Sequence, residues 1–525
     1  MTIVFSGKNP TSMKNKVILV QPHLGKYDMF IRDLPLSLLY AGCLVDRSKY
    51  ELILFDQRVE PDFEEKLIAE LKTGQVLCVA LTVMTGEPIN FALKTCRLVK
   101  ETANVPTVWG GIHPTILANQ TLEHDLVDIV VRGKGEFIFK ELVETLDVDG
   151  DLSQVKGLSY KTPENEILHN EDSHAFDADS IPIPPYDLVD IGNYKRSGFD
   201  FQVMSFITSR GCPHNCTFCY ITSLSNKERR WQAEEVSKTV DHLEHVMKLY
   251  SPDYISIIDD DFFVNVKRGR SFFEEVERRK IKIKWGLRGV RIDEILRMDD
   301  DLLRLLERVG MEHMNIGVES GSPRMLEMID KAINIEEVLE ANRKLTDYKK
   351  LEPLYNFFSG LPTETEEDLK CSTELIGKLL KENPQAQISG FHQFTPYPGN
   401  PLFDTAVEHG FDPPTNLETW ARFRLESNAE NLPWIDKKRK NLLDMIYFTV
   451  YFVDRKYENF IMRENLFNRL VYPLVLVYKV LAKYRFKHHF TGFPLDIYLK
   501  DSFYFATDFL KKLKYRKIPS WSLRS

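Results

Sequence analysis

Three cysteines lie close together on one short segment of the chain. Cys212, Cys216 and Cys219 have the spacing C-x3-C-x2-C within SRGCPHNCTFCY, and they follow an alternating apolar run, 201–207, that predicts a strand. Three thiolates at this spacing can bind a single metal centre. Because an iron–sulfur cluster normally takes four thiolates, the pattern favours a [4Fe–4S] cluster with an exchangeable ligand on its fourth iron. A structural zinc site completed by His214 or a distant histidine is the alternative.

The cysteine motif, with Phe218 before its last cysteine, resembles that of the radical S-adenosylmethionine (SAM) superfamily. The resemblance implies that Cys212, Cys216 and Cys219 ligate the cluster and are catalytic. It also implies that the open iron binds the amino and carboxylate groups of SAM. Electron transfer to the sulfonium would then release methionine and a 5′-deoxyadenosyl radical.

Four later segments resemble further elements of the same superfamily and occur in its order. The first two are expected to make polar contacts to SAM or substrate, because carboxylates accept hydrogen bonds from a ribose diol or an ammonium. Ordinary capping turns, or a divalent metal at the acidic run, are the alternatives. In the third segment, Thr363 and Glu366 predict a capping box. The segments are IIDDDFF (257–263), IGVESGS (316–322), FFSGLPTETEEDL (357–369) and FTPYPGNPL (394–402).

Two arginines and a glycine complete the SAM site that this resemblance implies. Arg288 and Arg291 follow a predicted strand, and pairing with the SAM carboxylate and simple solvation explain them equally well. Gly360 is expected to let the adenine approach the backbone. The residues expected to contact SAM are Phe218, Tyr220, Asp260, Arg288, Glu319, Ser320 and Gly360.

The first 150 residues carry a second set of motifs at the ends of predicted strands. The loops LTVMTGEP (81–88), WGGIHPT (109–115) and VRGKGE (131–136) contain glycines that let the backbone approach a flat ligand, although simple turns are the alternative. With the stretch 128–136, they resemble the cobalamin-binding domain found ahead of many radical SAM cores. The residues expected to contact cobalamin are Thr82, Thr85, Gly110, Gly111, His113, Gly133 and Glu136.

Two motifs that this domain lacks limit the interpretation. The motif D-x-H-x-x-G, whose histidine ligates cobalt in cobalamin-dependent mutases, is absent. His113 is therefore not assigned to cobalt, and packing against the corrin or a backbone group is expected. The fingerprint G-x-G-x-x-G is absent after the first strand, which disfavours a dinucleotide.

These motifs need a scaffold that brings strand ends together. Over 16–146, short apolar runs alternate with amphipathic stretches, which predicts a doubly wound (Rossmann-like) parallel sheet with ligands at the carboxyl ends of its strands. Over 199–400, six longer β-then-α units predict a partial (β/α)6 barrel that is open on one side. The predicted class is α/β, with domains at 1–150 (cobalamin), 151–198 (hairpin and Pro-rich linker), 199–400 (radical SAM barrel) and 401–525 (mostly helical).

Charge and cysteine usage limit the compartment and the partners. The net charge of −8 gives no reason to expect nucleic acid. Four cysteines outside the motif indicate free thiols in a reducing compartment rather than disulfides. The start of the chain lacks a signal-peptide pattern, and no apolar run is long enough to span a bilayer. The sequence therefore predicts a cytoplasmic protein.

The C-terminal region differs in composition from the rest of the chain. Residues 436–525 contain 19 Lys and Arg against 8 Asp and Glu, interleaved with aromatic residues. The composition favours a helical cap that buries this apolar surface against the barrel, with the lysines outside. Peripheral contact with the inner face of the cell membrane is a further expectation, because helices of this composition also suit a membrane interface.

The two sets of motifs together resemble the cobalamin-dependent radical SAM methyltransferases. The resemblance implies methylation of an unactivated carbon on an apolar small molecule (an isoprenoid, lipid or tetrapyrrole), with a [4Fe–4S] cluster, SAM and cobalamin as cofactors. A flavodoxin or ferredoxin is the expected electron donor. Oxidative cyclisation or rearrangement without methyl transfer is the alternative, and a cobalamin- or redox-sensing module is a more remote one.

Overall fold

Two parallel sheets organise the chain and confirm the predicted α/β class. The computed structural model describes residues 15–25, 28, 33–173, 176–194, 202–224, 231–423, 432–455 and 466–492. The first residue of the strand predicted at 201–207 lies outside these ranges, as do parts of the predicted C-terminal region.

The first sheet consists of β1 (Lys16–Gln21), β2 (Glu51–Asp56), β3 (Val76–Thr82), β4 (Thr107–Gly110), β5 (Ile129–Val131), β6 (Leu158–Lys161) and β7 (Ile167–His169). Its order is β2-β1-β3-β4-β5-β6-β7, and the first five strands pair in parallel. With β1 between β2 and β3, the sheet is doubly wound, and its ligand position lies at the carboxyl ends of these strands.

Helices cover the first sheet and explain the composition of its strands. In β1 and β3 every residue except one terminal residue is buried, so both strands are apolar on both faces. Continuous apolar runs are typical of parallel strands that are covered on both sides. The helices here are α1 (Leu36–Gly42), α2 (Phe63–Leu71), α3 (Pro88–Thr102), α4 (Ile112–Ile116), α5 (Ala118–Leu122) and α6 (Gly135–Asp147).

The predicted hairpin at 157–168 forms, and it extends the first sheet. Strand β6 pairs antiparallel with β5, and β7 pairs antiparallel with β6. The sequence places this hairpin in the linker, whereas the structure uses it to cover the edge of β5, whose backbone groups would otherwise be unpaired. The remaining linker contains the short 3-10 turns Ala178–Ser180, Tyr186–Leu188 and Ile191–Asn193.

The second sheet confirms the open barrel. The strands of this part are β8 (Val203–Phe206), β9 (Ser209–Arg210), β10 (Gln232–Ala233), β11 (Tyr254–Ile257), β12 (Lys284–Val290), β13 (Met311–Glu319), β14 (Glu352–Ser359) and β15 (Gln387–Gln393). Six of them form a parallel sheet in the order β15-β14-β13-β12-β11-β8, so β15 and β8 are its edges. The short strands β9 and β10 pair antiparallel beside it.

Two helix boundaries differ from the sequence-based prediction. The amphipathic pattern predicts one helix over 296–309, but the structure divides this stretch, because the side chain of Asp299 caps a new helix at its first turn. The capping box predicted at Thr363 lies two residues later, at Thr365 and Asp368, because Thr363 has a left-handed φ of 63° in the preceding turn.

The helices that follow β9 in the described part of the chain are α7 (Ile221–Leu224), α8 (Val236–Tyr250), α9 (Val266–Arg278), α10 (Ile292–Arg297), α11 (Asp300–Val309), α12 (Pro323–Met328), α13 (Ile335–Leu345), α14 (Glu366–Glu382), α15 (Pro401–Glu408), α16 (Leu417–Trp420), α17 (Lys437–Thr449) and α18 (Leu466–His488).

One hydrophobic core connects the two sheets. It runs from one face of the first sheet through the linker into the barrel, while a smaller core fills the opposite face of the first sheet. In β13 buried and partly exposed residues largely alternate, as expected where one face of a strand meets helices and the other lines a barrel. In the described ranges, no helix combines the length and apolar character needed to cross a membrane.

Candidate active site

The three motif cysteines lie on the loop between β9 and α7. Cys216 is 7% exposed, and Cys212 and Cys219 are partly buried. The Cys219 N–H donates to the Cys216 carbonyl over 3.0 Å and closes a turn between two of the thiols. Burial raises the pKa of Cys212 to about 12 and that of Cys219 to about 11, so binding of a metal centre must displace their protons.

The acidic run after β11 anchors the residues that lead into the cysteine loop. Asp259 accepts hydrogen bonds from the Thr208 N–H (2.7 Å), the Thr208 hydroxyl (2.6 Å) and the Ser209 hydroxyl (2.6 Å). Asp260 accepts from the Gly211 N–H over 2.8 Å. These carboxylates therefore fix the backbone that leads into the cysteine loop. The predicted contact of Asp260 with SAM stays a prediction.

The third carboxylate of this run faces the cysteines themselves. Donor atoms of Asp261, Cys212 and His214 lie within 4.8 Å of one another. This set contains one thiolate, whereas structural zinc sites usually combine several cysteine and histidine ligands. Asp261 also meets the fully buried Glu294, and burial together with this neighbouring carboxylate raises the pKa of Glu294.

The two arginines after β12 have different surroundings. Arg291 is 7% exposed, so its interpretation as a solvated cation is wrong. Its guanidinium lies 3.7 Å from the Cys216 Sγ and donates to the Lys331 carbonyl over 2.8 Å, which places a positive charge beside a predicted cluster ligand. Arg288 pairs with Asp33 from the first domain over 3.0 Å, and its contact with SAM stays a prediction.

Glu319, at the end of β13, forms a nearly buried ion pair that the sequence did not reveal. Its carboxylate lies 2.9 Å from the Lys331 ammonium, and the two side chains are 12% and 7% exposed. The Lys331 ammonium also lies 5.8 Å from the centre of the Phe218 ring, which packs on Phe358 at 4.9 Å. Glu319 has a left-handed φ of 75°, which holds its side chain in an uncommon direction. The structure thus brings Glu319 and Phe218 together as predicted members of one site.

Two other predicted SAM contacts have buried structural partners. The Ser320 hydroxyl is 3.3 Å from that of Ser372 inside the fold. The Gly360 N–H donates to Glu364 over 2.7 Å, and the Gly360 carbonyl accepts from the Trp434 indole over 3.0 Å. Their contacts with SAM stay predictions, as does that of Tyr220, for which burial raises the phenol pKa well above its usual range.

The glycine loops at the carboxyl end of the first sheet present open backbone. A Cβ added at Gly110 or Gly133 would meet no atom within 4 Å. Gly111 has a φ of 100°, and a Cβ there would lie 2.9 Å from the Val83 carbonyl, so this position requires glycine. The Thr82 hydroxyl, at the end of β3, accepts from a serine of α1 over 3.2 Å.

His113 is fully buried in this region. Its ring is 0% exposed and packs edge-on against Trp420 at 5.9 Å. Its Nδ1 lies 3.1 Å from the Thr85 hydroxyl, and its Nε2 has no hydrogen-bond partner within the described part of the chain. Burial lowers the pKa of His113 to about 4, so the ring is neutral at physiological pH. The expectation that it packs against the corrin stays a prediction.

Glu136 has a partner in the second domain. The side chain is 2% exposed, and its carboxylate accepts a hydrogen bond from Arg210 in the cysteine motif. Sequence reasoning placed Glu136 on cobalamin and assigned no role to Arg210 or Lys331. The position of Arg210 two residues before Cys212 was a usable signal, whereas nothing in the sequence shows that Lys331 folds back onto Glu319.

The donor sets fit the groups that the sequence predicts. Three cysteines on one loop, flanked by buried cations, suit an iron–sulfur cluster with an open iron. Two glycine positions that open onto free space at a doubly wound sheet's carboxyl end suit a large flat ligand.

Comparison with known families decides between an iron–sulfur cluster and a zinc site at the three cysteines. The model of the radical SAM superfamily matches residues 206–376, and that of the B12 binding domain matches residues 34–143. An uncharacterized methyltransferase of Pyrococcus horikoshii is 31% identical over 377 residues, which cover 71% of this chain and 78% of that protein. The chain belongs to the cobalamin-binding radical SAM family. Its cofactors are a [4Fe–4S] cluster, SAM and cobalamin, and the zinc alternative is wrong.

Two further relatives of this radical SAM enzyme have different activities in their names. The anaerobic magnesium-protoporphyrin IX monomethyl ester cyclase of Cereibacter sphaeroides is 29% identical, over 69% of this chain and 58% of that protein. The hopanoid C-3 methylase of Methylococcus capsulatus is 29% identical, over 62% of this chain and 61% of that protein. The three relatives are named as enzymes, which supports an enzyme rather than a sensor.

A solved structure supports the fold. The cobalamin-dependent SAM radical enzyme OxsB, with aqua-cobalamin and SAM bound, superposes with a TM-score of 0.70 over 90% of this chain and 72% of that chain, at 17% identity. The predicted order of a B12-binding domain, a radical SAM sheet and a helical C-terminal part is therefore confirmed.

Proposed function

We propose that this enzyme methylates an unactivated carbon of an apolar small molecule. The observation that carries the proposal is that open glycine loops of the first sheet and a three-cysteine loop of the second sheet are joined through the contact of Glu136 with Arg210. The similarity to a methyltransferase over 78% of its length and to a hopanoid methylase supports methyl transfer.

The chain's own side chains position the reacting groups and exclude water. When bound, the cluster supplies the electron that cleaves SAM, and cobalamin carries the methyl group. Cys212, Cys216 and Cys219 hold the cluster, and the buried carboxylates after β11 fix their loop. The Lys331 ammonium and the Glu319 carboxylate offer a charge of each sign to the zwitterionic end of SAM. A flavodoxin or ferredoxin is the proposed electron donor.

An apolar surface on α18 supports a substrate that is taken from a membrane. Five large side chains on one face of this helix are 40–73% exposed, and exposed lysines follow at its C-terminal end. An amphipathic surface of this kind can lie in the interface of an anionic bilayer at the inner face of the cell membrane. The five residues are Leu476, Val477, Val480, Leu481 and Tyr484.

Sedimentation with anionic liposomes tests this surface. We expect the double substitution Val477→Glu and Val480→Glu to reduce the bound fraction, because charges in the interface oppose insertion. Val148 on the first domain is equally exposed, at 73%, so Val148→Glu is the matched control and should bind as the native chain does. Equal sedimentation of all three proteins would contradict membrane contact.

Oxidative cyclisation without methyl transfer is the second candidate, and the similarity to the magnesium-protoporphyrin ester cyclase favours it. The two functions differ in the fate of the SAM methyl group. The reconstituted enzyme, a reductant and trideuteromethyl SAM are incubated anaerobically with an apolar extract of the producing cells. Methyl transfer predicts a product that carries the intact label, and Cys216→Ala should not form it. An unlabelled product that has lost hydrogen would support cyclisation instead.

A further inference from the structure

Arg210 connects the cysteine loop to the rest of the molecule. It lies on β9, two residues before Cys212, and its guanidinium contacts three side chains from outside the second sheet. It bonds Glu136 of α6, lies 4.3 Å from the ring centre of Tyr40 on α1, and lies 5.4 Å from that of Phe176 in the linker. The segment that leads to the first cluster ligand is therefore held by the first domain and the linker.

Glu136 continues this connection into the first domain. It is the second residue of α6, directly after the loop that contains Gly133. That loop is fixed by a hydrogen bond from the Gly133 N–H to the Thr115 hydroxyl, over 3.1 Å, and it is predicted to contact cobalamin. With 2% exposure, the Glu136 carboxylate depends on Arg210, because a buried charge without a partner is strongly destabilising.

The other side of Arg210 is held just as firmly. Its neighbours Ser209 and Gly211 are hydrogen-bonded to Asp259 and Asp260 at the end of β11. A change in the position of the Arg210 side chain is therefore transmitted to the backbone that leads to Cys212. The Gly133 loop and the cysteine loop are thus connected by a side-chain contact whose two ends are each fixed by further hydrogen bonds.

We propose that Glu136 and Arg210 are positioning residues that set the distance between the bound corrinoid and the cluster. Reacting groups need near-attack geometry, and a misplacement of about 1 Å can cost roughly a hundredfold in rate. The proposal rests on the predicted contact of the Gly133 loop with the corrinoid. It goes beyond methyl transfer, because any reaction that uses both cofactors would depend on this distance.

The test measures the distance between the cofactors rather than the reaction. The full chain is reconstituted anaerobically with iron, sulfide and hydroxocobalamin and then reduced until the corrinoid is Co(II) and the cluster is paramagnetic. The electron-spin relaxation of Co(II) is faster the closer the cluster lies. Glu136→Gln keeps the shape and removes the charge, and we expect a weaker relaxation enhancement in the molecules that carry both the cluster and the corrinoid. Relaxation equal to that of the native enzyme would overturn the proposal.

The control removes an exposed ion pair that joins the first domain to the linker. Arg47 and Asp187 are 2.6 Å apart with side chains 47% and 61% exposed, and Asp187→Asn should leave the relaxation unchanged. If Asp187→Asn changes it as much as Glu136→Gln does, the proposal is also wrong, because any loosened domain contact would then suffice.

A milder variant decides the matter if Glu136→Gln fails to bind its cofactors. Glu136→Asp keeps the charge and shortens the side chain, so we expect full loading with a shifted relaxation rate. An unshifted rate in the loaded Glu136→Asp protein would overturn the proposal. A native enzyme that shows the relaxation enhancement but transfers no methyl group would contradict the proposed function and leave this positioning role intact.

Discussion

The carboxyl ends of the two sheets are lined by different chemical groups. The first presents open glycine backbone and a buried neutral histidine, with a Cβ at Gly110 or Gly133 meeting nothing within 4 Å. The second is lined by thiols, carboxylates and buried cations that are bonded to one another. A large corrin ring needs space and close backbone approach, whereas an iron cluster and SAM need charges in fixed positions. We infer that one chain holds its corrinoid against open backbone and its cluster and SAM among charges in fixed positions.

The largest effect should come from removing a thiolate at the carboxyl end of the second sheet. We expect Cys216→Ala to abolish the formation of 5′-deoxyadenosine from SAM, because the cluster loses one of its three protein ligands. Corrinoid binding to the first domain should persist. Iron content, nucleoside yield and corrinoid absorbance measure the three quantities.

The matched control is Cys371→Ser, which alters a partly buried thiol outside the motif and should retain iron and nucleoside formation. Loss of corrinoid together with iron in Cys216→Ala would contradict the contrast between the two sheets, because it would show that corrinoid binding and cluster binding are not independent.

The second prediction concerns the glycine loops at the carboxyl end of the first sheet. Gly110→Leu places a side chain where a Cβ meets no atom within 4 Å, so we expect loss of corrinoid binding without a change in fold. Formation of 5′-deoxyadenosine should remain. Gly377→Leu is the control, because a Cβ at this position on α14 also meets no atom within 4 Å. Native corrinoid uptake by Gly110→Leu would contradict the predicted cobalamin contact.

A third substitution tests how far the stability of the second sheet's site depends on its buried ion pair. Lys331→Met leaves the Glu319 carboxylate in a nearly buried position without its partner, and loss of one member of a buried pair costs about 3–5 kcal/mol of stability. Urea unfolding of the cofactor-free chain measures this loss. Lys156→Met breaks an exposed pair with Glu171 and should leave the free energy of unfolding nearly unchanged, because solvent screens exposed pairs. Similar costs for both variants would contradict the contrast.

The smallest expected effect is on the pH dependence of stability, and it comes from the buried, neutral His113 near the glycine loops of the first sheet. Its pKa is about 4 in the folded chain, against an ordinary value of about 6.5, so the unfolded chain binds more protons between these values. Stability from His113 is complete above pH 6.5 and is lost as the pH falls towards 4, which amounts to about 2 kcal/mol between pH 7 and pH 5. His113→Gln should remove this part of the acid sensitivity in urea unfolding. The exposed His409→Gln is the control, and equal acid sensitivity in both variants would contradict the burial of His113.

The sequence predicts the two sheets because their strands are local apolar runs with helical stretches between them. It also predicts which cysteines hold the cluster, because their spacing is local. Partners that meet only through the fold were missed, as with Lys331 beside Glu319 and Arg210 beside Glu136. The hairpin at 157–168 was recognised by its local pattern, but the edge strand that it covers is distant in sequence.

The products of SAM test the central claim most directly. The fully reconstituted enzyme is incubated with SAM and reductant, and S-adenosylhomocysteine and 5′-deoxyadenosine are quantified by mass spectrometry. Methyl transfer through the corrinoid predicts that both appear with the native chain, while Gly110→Leu yields 5′-deoxyadenosine alone. Formation of 5′-deoxyadenosine without S-adenosylhomocysteine by the native, corrinoid-loaded enzyme would contradict the account.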